Sequence, residues 1–181
     1  WSIAPVIVMA LIAEVGVLVI GLPVWDEIYG ETPEDAVIVD VAARQFEWIV
    51  RYAGPDGQLG RTDPVQIDGQ TNPAGLDAND PAAGDDIVER NVLRLPVNRP
   101  AVLRLRSHDV LHSFSVAELR VKQDIIPGIV GSTQFVPIQV DTFEIGCAEL
   151  CGLGHYRMRG RVIVMTQADY DSWLNGQGGG E

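Results

Sequence analysis

Residues 147–158 read Cys-Ala-Glu-Leu-Cys-Gly-Leu-Gly-His-Tyr-Arg-Met and bring two thiols, an imidazole and a thioether into one short segment. Both cysteines of the chain lie within it. A continuous helix would stack these four side chains on one face, but Gly152 and Gly154 disfavour a helix. We therefore expect a loop that folds around a metal ion. Thiolate and thioether are soft ligands that select copper, and imidazole also suits copper.

The number of thiols indicates what kind of copper site this is. A blue-copper site uses one Cys, two His and a distant axial Met. The second cysteine here allows two thiolates to bridge two copper ions, each of which takes one imidazole. A second imidazole must then come from elsewhere in the chain, and the sequence offers His108 and His112.

Two simpler interpretations compete with copper. Two cysteines in an exported domain often form a disulfide, and a Cys2His2 set can hold a structural zinc ion. Zinc motifs more often space their thiols Cys-x2-Cys, and zinc has no use for a thioether. We therefore favour copper.

A second motif, Asp109-Val-Leu-His112-Ser-Phe, precedes the first one. Together with Cys-x-Glu-x-Cys-Gly-x-Gly-His-x-x-Met, it resembles subunit II of haem-copper cytochrome c oxidases, which carries the dinuclear copper (CuA) centre. The likeness runs from Trp1-x-x-x-Pro5 to the strand after Met158 and so covers most of the chain. It implies a mainly β fold: a cupredoxin-like β-sandwich with Greek-key topology, preceded by one transmembrane helix. Many short strands separated by turn residues indicate a β-sandwich independently.

The resemblance also implies the copper ligands, which are His112, Cys147, Glu149, Cys151, His155 and Met158. The two imidazoles each bind one ion, and the two thiolates bridge both. The thioether is a weak axial ligand of one ion, and the backbone carbonyl of Glu149 serves the other. In the family, the carboxylate of this glutamate points to a magnesium or manganese site shared with subunit I. The motif fixes the histidine before Ser-Phe as the ligand, so His108, although strand parity puts it on the same side, is interpreted as a surface residue.

One stretch departs from the family. The family sequence there is Gln-Trp-Tyr-Trp, and its first tryptophan is the surface residue through which electrons enter. Aligned on Gln45, Phe46 takes that place and Trp48 matches the second tryptophan. Phe46 and Trp48 are therefore our candidates for the electron route. From the residues alone, the alternation of Phe46, Trp48, Val50 and Tyr52 most simply indicates core packing.

The composition limits the possible partners. A chain of 181 residues with 46% hydrophobic residues can hold one domain plus an appendage. Its formal net charge of -12, from 25 acidic and 13 basic residues, argues against nucleic acid. The same charge permits attraction to a basic protein.

Residues 1–25 are predicted to form a transmembrane helix. Glu14 alone interrupts an apolar run long enough to cross a bilayer, and Trp1 and Trp25 flank the run as interfacial anchors. A signal peptide is the alternative, but its apolar region is usually shorter and its start basic. The resemblance matches this helix to the second of two, so we expect an earlier one upstream. It also implies a location in the inner or plasma membrane, with the copper domain on the extracytoplasmic side.

The rest of the chain divides by composition. Residues 26–35 form an acidic connector, and 36–175 form the copper domain, ending in a short helix over 168–175. Within this domain, 54–90 is a Gly-, Pro- and Asp-rich insertion that we interpret as a solvated excursion, with a calcium loop as an alternative that lacks EF-hand spacing. Residues 176–181 read as a flexible tail or linker. Strands are predicted at 36–42, 45–52, 92–95, 101–106, 110–116, 133–140, 143–147 and 161–165.

The resemblance implies electron transfer in a respiratory cytochrome c oxidase, with no catalytic residue in this chain. Copper would accept electrons from a cytochrome c, or from a c-type haem domain held in the same complex, and pass them to haem in subunit I. Oxygen reduction and proton pumping follow there. The expected partners are subunit I, other oxidase subunits and the lipid bilayer. The alternatives are a membrane-anchored copper-binding or copper-delivery module and the CuA domain of a nitrous oxide reductase-like electron carrier.

Overall fold

The first structural unit, Trp1–Pro33, is built on one long apolar helix. In the computed structural model, which describes residues 1–177, helix α1 runs over Ile3–Tyr29 and includes two wider π-type turns at Ala10–Glu14 and Val17–Gly21. Its 27 residues and mean hydropathy of 2.7 make it long and apolar enough to cross a membrane. The helix continues four residues into the predicted connector 26–35 and ends where the N–H of Gly30 bonds to the carbonyl of Asp26 at 2.8 Å.

The second unit begins at Glu34 and is a sandwich of two five-stranded sheets. Its strands are β1 Val37–Arg44, β2 Glu47–Tyr52, β3 Ile87–Arg90, β4 Val92–Pro96, β5 Ala101–Ser107, β6 His112–Val116, β7 Val121–Ile125, β8 Gly131–Phe135, β9 Asp141–Cys147 and β10 Arg159–Met165. The first sheet has the order β3-β2-β1-β5-β8, and the second has the order β4-β10-β9-β6-β7. The predicted β-sandwich is confirmed. Helix α2, Gln167–Gln177, follows the last strand.

The main core lies between the two sheets. On β2, alternate side chains of Trp48, Val50 and Tyr52 are fully buried in it, as the alternating pattern predicted. Trp48 meets Phe114 of β6 edge-to-face, with ring centroids 5.5 Å apart. Phe46 precedes β2 in the turn after β1 and packs against the core only in part.

The outer face of the first sheet is also covered, which the sequence did not indicate. Ala74, from the insertion 54–90, packs with Ala42 of β1 and Ile49 of β2 in a second, smaller core. Strand β3 ends the insertion and pairs with β2. The insertion is therefore not a wholly solvated excursion, because part of it forms a lid over the sheet.

The aspartates of the insertion hold its turns. Each of the seven accepts a hydrogen bond from a backbone N–H, at distances between 2.7 and 3.1 Å. Short carboxylate side chains favour turns for this reason. Their residues are Asp56, Asp63, Asp68, Asp77, Asp80, Asp85 and Asp86.

A buried ion-pair network lies beneath this lid. The Asp40 carboxylate, 3% exposed, accepts hydrogen bonds from three arginines, Arg51, Arg104 and Arg106. Arg51 also bonds to Asp86 at 2.8 Å. Burial raises the pKa of Asp40, but the arginines outweigh it and the pKa lies below its usual value. For Asp86 burial prevails, and its pKa is raised.

Several predicted boundaries differ from the structure. The sequence did not indicate β3 or β7, and the strand predicted at 133–140 is β8 at Gly131–Phe135. The predicted C-terminal helix is present, with Asp169 N–H donating to Thr166 Oγ1 at 3.2 Å. It extends to Gln177, so the predicted tail 176–181 begins inside it, and residues 178–181 lie outside the described residues.

Candidate metal centre

Three neighbouring strands of the second sheet bring the predicted ligands to one end of the sandwich. His112 is the first residue of β6, and Cys147 is the last residue of β9. These strands are antiparallel, with Phe114 opposite Cys147, so both ligands lie at the same edge. The predicted loop follows Cys147, passes through a 3-10 turn at His155–Arg157 and returns as β10 after Met158.

The two thiols and two imidazoles converge. The Sγ atoms of Cys147 and Cys151 are 3.8 Å apart. His112 Nδ1 lies 3.9 Å from Cys147 Sγ, and His155 Nδ1 lies 3.7 Å from Cys151 Sγ. Both cysteines are free. Each thiol therefore has a different imidazole beside it.

The two weaker predicted ligands also face the thiols. Met158 Sδ is 3.7 Å from Cys151 Sγ, and the backbone carbonyl oxygen of Glu149 is 3.1 Å from Cys147 Sγ. Cys151 and Met158 are buried, with exposures of 3% and 1%. Glu149 is itself exposed, so its carbonyl faces inward while the residue borders solvent.

This donor set fits a soft metal. Sulfur and nitrogen ligands of one tetrahedral ion, at about 2.3 and 2.0 Å, lie roughly 3.5 Å apart. The observed separations are close to that value. One group of ligand atoms, those of His112, Cys147 and Cys151, lies within 4.8 Å of one another. Burial raises the pKa of the Cys151 thiol to about 11, so a bound metal would have to displace its proton.

Asp109 orients the first imidazole. Its Oδ1 lies 2.8 Å from His112 Nε2, which leaves Nδ1 facing the thiols. Burial raises the pKa of Asp109, but hydrogen bonds from His112 and the backbone outweigh it and lower the pKa overall. The carboxylate therefore stays charged and fixes the tautomer of a ligand that is fully buried.

The turn between β1 and β2 contacts the metal loop directly. Gln45 Nε2 donates to the carbonyl of Cys151 at 2.6 Å, and the Gln45 backbone N–H donates to Asp109 Oδ2 at 2.7 Å. Phe46 fills the space beside two glycines of the loop: a Cβ at Gly154 would lie 2.4 Å from Phe46 Cδ2. Sequence reasoning missed these contacts, although the two glycines were a visible signal.

The candidates for the electron route occupy different environments. Trp48 is fully buried, with its ring centroid 6.4 Å from that of His112. It cannot form part of a docking surface, so any role in the electron route would lie inside the domain. Phe46 is half-buried, beneath the guanidinium of Arg157 at 5.6 Å from its ring centroid.

The competing imidazole lies elsewhere. His108 sits in the turn after β5, where its backbone N–H bonds to the carbonyl of Ala43 at 3.0 Å. Because this turn is not a strand, the parity argument does not apply. His108 is half-buried beside Arg106, so it lies at the surface only in part. Burial and the neighbouring arginines lower its pKa.

The metal loop presents an apolar rim to solvent. Leu153 is 98% exposed and Leu150 is 82% exposed. We call the exposed residues Leu150, Leu153 and Tyr156 of this loop, together with Val110 and Leu111 just before His112, the apolar rim. Large apolar side chains exposed together indicate an interaction surface.

The fold and the site define a cupredoxin-like metal-binding domain. A model of the family described as "Cytochrome C oxidase subunit II, periplasmic domain" matches residues 39–166. The chain therefore belongs to the cytochrome c oxidase subunit II family. Membership of this family and the thiol, imidazole and thioether donors together identify the site as a copper centre.

Individual relatives agree with this assignment. The chain is 44% identical over 158 residues to the alternative cytochrome c oxidase subunit 2 of Bradyrhizobium diazoefficiens, covering 87% of this chain and 56% of that protein. It is 34% identical over 154 residues to cytochrome c oxidase subunit 2 of Thermostichus vulcanus, covering 85% and 37%. The chain thus spans about half the length of these curated relatives.

A solved structure supports the fold. The crystal structure of the periplasmic domain of subunit II of cytochrome oxidase of Bradyrhizobium japonicum matches with a TM-score of 0.59 at 23% identity. The match covers 81% of this chain and 96% of that one. At this identity the likeness concerns the fold alone.

Proposed function

We propose that this chain is the electron-receiving part of a respiratory cytochrome c oxidase and holds a dinuclear copper centre. The proposed ligands are His112, Cys147, the carbonyl of Glu149, Cys151, His155 and Met158. The observation that carries the proposal is the convergence of both thiols, with a separate imidazole within 3.9 Å of each. Two thiolate-bridged copper ions would supply a one-electron carrier between a cytochrome c and haem in subunit I.

The chain's own residues supply rigidity and exclude water. His112 and Cys147 are anchored in strands of the second sheet, and Asp109 fixes the orientation of the imidazole. A rigid ligand frame changes little between oxidation states, which favours fast electron transfer. The burial of Cys151 and Met158 favours retention of the metal over its delivery, because delivery needs exchangeable ligands at the surface.

Copper loading tests this function. We expect the purified chain, reconstituted with excess copper, to bind two copper ions and to show the purple colour and electron spin resonance spectrum of a mixed-valence pair. The physical reason is that the two thiols are 3.8 Å apart and each has its own imidazole within 3.9 Å. Metal analysis and spectroscopy provide the measurement. One equivalent of zinc with no visible absorption, bound in the presence of excess copper, would refute the proposal.

The apolar rim supports a docking role at the copper end of the domain. We propose that subunit I and other oxidase subunits cover part of it. The exposed Glu149 would offer its carboxylate to a magnesium or manganese ion at that interface, where subunit I supplies the remaining ligands. Helix α1 would anchor the chain in the inner or plasma membrane, with the copper domain on the extracytoplasmic side.

The net charge of -12 bears on the identity of the electron donor. The aspartates of the insertion already serve its turns, so they are not by themselves a sign of a docking site for a soluble cytochrome. We propose a haem-bearing donor held in the same complex, fused or docked. Such a donor has a high effective concentration and needs no electrostatic steering.

A salt series distinguishes the two kinds of donor. We expect reduction of copper in the complex purified from its native membrane to change little between 0.01 and 0.1 M salt, although the Debye length shrinks from about 30 to about 10 Å. Stopped-flow mixing with soluble cytochrome c measures the rate. A fast second-order reaction that slows steeply with salt, in a preparation free of c-type haem, would contradict a held donor.

A further inference from the structure

We propose that Gln45 is a positioning residue that couples the two sides of the copper centre. This inference deepens the proposed function and rests on it. The residue lies in the turn between two strands of the first sheet, whereas the ligands come from the second sheet and its loop. Gln45 touches no proposed ligand atom and acts through the groups that it holds.

One residue reaches both sides of the site. The backbone N–H of Gln45 donates to Asp109 Oδ2 at 2.7 Å, and the other oxygen of this carboxylate lies 2.8 Å from His112 Nε2. The side-chain amide of Gln45 donates to the carbonyl of Cys151 at 2.6 Å. The two bonds therefore link a buried imidazole to a buried thiol of a different segment.

The residues that follow Cys151 and Gln45 in the chain, Gly152 and Phe46, fix the position of this link. Gly152 has a φ of +132°, and a Cβ there would lie 2.6 Å from Gln45 Nε2. At Gly154 the nearest atoms are those of the Phe46 ring. The metal loop is thus seated on the Gln45–Phe46 turn with no room for a side chain between them. This close packing fixes the loop relative to the turn, so the Gln45 amide and the Cys151 carbonyl are held in hydrogen-bonding position.

This geometry gives Gln45 a specific task. A hydrogen bond to the carbonyl of Cys151 fixes the backbone that carries this thiol, 3.8 Å from the other thiol. Without the bond, the Cys151 backbone loses this tie to the turn, although the loop keeps the bond from the Ala148 N–H to the Ser113 carbonyl and its contact with Phe46. Residues that hold metal ligands in place typically change metal affinity by about 10- to 100-fold when they are replaced.

Four substitutions test the task. Gln45→Met keeps the length of the side chain but removes the donor, and Gln45→Glu keeps the shape but offers no donor at neutral pH. Gln45→Lys keeps a donor. The matched control is Gln167→Met, since the Gln167 amide donates to Asp171 at 2.7 Å in α2, away from the metal loop. All four retain the backbone N–H that reaches Asp109.

Copper release and thiol reactivity are the measurements. We expect Gln45→Met and Gln45→Glu to release copper to a chelator about 10- to 100-fold faster than the wild type and to shift the visible bands. Gln45→Lys should release copper more slowly than either, and Gln167→Met should match the wild type. In the copper-free chain, Cys151 of Gln45→Met and Gln45→Glu should react with a thiol reagent faster than Cys151 of the wild type. The urea midpoint of unfolding should be unchanged in both variants.

The outcomes separate this inference from the function on which it rests. The role of Gln45 would be overturned if Gln45→Met and Gln45→Glu released copper at the wild-type rate. It would also be overturned if the urea midpoint of unfolding fell far enough in these variants to account for the faster release. A wild-type chain that fails to bind two copper ions would instead refute the proposed function. The reactivity of Cys151 in the copper-free chain remains a test of the link in that case.

Discussion

Cys151→Ser is expected to abolish the dinuclear copper centre and all of its visible absorption. The Cys151 thiol is 3.8 Å from Cys147 Sγ, 3.7 Å from His155 Nδ1 and 3.7 Å from Met158 Sδ, so it contacts three other proposed ligands. A serine hydroxyl stays protonated at neutral pH and is a harder donor than a thiolate. Cys147→Ser should have the same effect. Metal analysis and the visible spectrum of the reconstituted chain provide the measurement.

A pair of methionine substitutions shows that the effect is specific to the bridging thiols. Met158→Leu should keep both copper ions but alter the reduction potential, because an axial thioether tunes a copper site more than it holds it. Met165→Leu, at the end of β10, should change neither. A Cys151→Ser chain that still binds two copper ions with a mixed-valence spectrum would contradict the bridging role.

Asp40→Asn is expected to lower the free energy of unfolding of the copper-free chain by about 3–5 kcal/mol. The substitution leaves Arg51, with a side-chain exposure of 5%, without its 2.6 Å carboxylate partner. Arg106 loses its 2.8 Å partner as well. The pair with Arg104, which is 41% exposed, contributes less because solvent screens it. Urea unfolding in detergent measures the change.

A surface ion pair provides the matched control for Asp40. Asp124 bonds to Lys122 at 2.7 Å, but both side chains are more than half exposed. Asp124→Asn should therefore change stability by less than about 1 kcal/mol. Equal effects of the two substitutions would show that burial of the network has no energetic importance.

The same network predicts the response to acid. The pKa of Asp40 is lower in the folded chain than its usual value near 4, so its contribution to stability is present above that pH. The contribution is lost as the pH falls through the folded-state pKa. The stability difference between wild type and Asp40→Asn should therefore shrink in acid. A difference that stays constant down to pH about 2 would contradict this assignment.

The metal site was largely predictable because its ligands are close in sequence. Cys147, Cys151, His155 and Met158 belong to one segment, and the motif before Ser-Phe selects His112. The structure brings all of them together with the carbonyl of Glu149. Their roles as copper ligands stay a prediction that metal binding must test.

Contacts between distant segments were not predictable. Gln45 and Cys151 are 106 residues apart, and neither their residue types nor their separation in sequence predicts a hydrogen bond. Asp40 and Arg51 look like solvent-facing residues in alternating strands, and only the lid formed by the insertion buries them. Strand β7 was missed because Lys122, Gln123 and Asp124 occupy most of its five residues. Its pairing with β6, rather than its own composition, makes it a strand.

The order of the strands has a consequence for biogenesis. In the second sheet, β4 lies at the edge beside β10, its parallel partner, and pairs Val92 with Arg161. During synthesis β4 is therefore without this partner until the metal loop and β10 have left the ribosome. The first sheet, which ends with β8, is complete some thirty residues earlier in the chain. If the chain binds copper as proposed, loading would be a late event, and a nascent chain stalled between residues 151 and 159 would carry both thiols unprotected on an unfinished sheet.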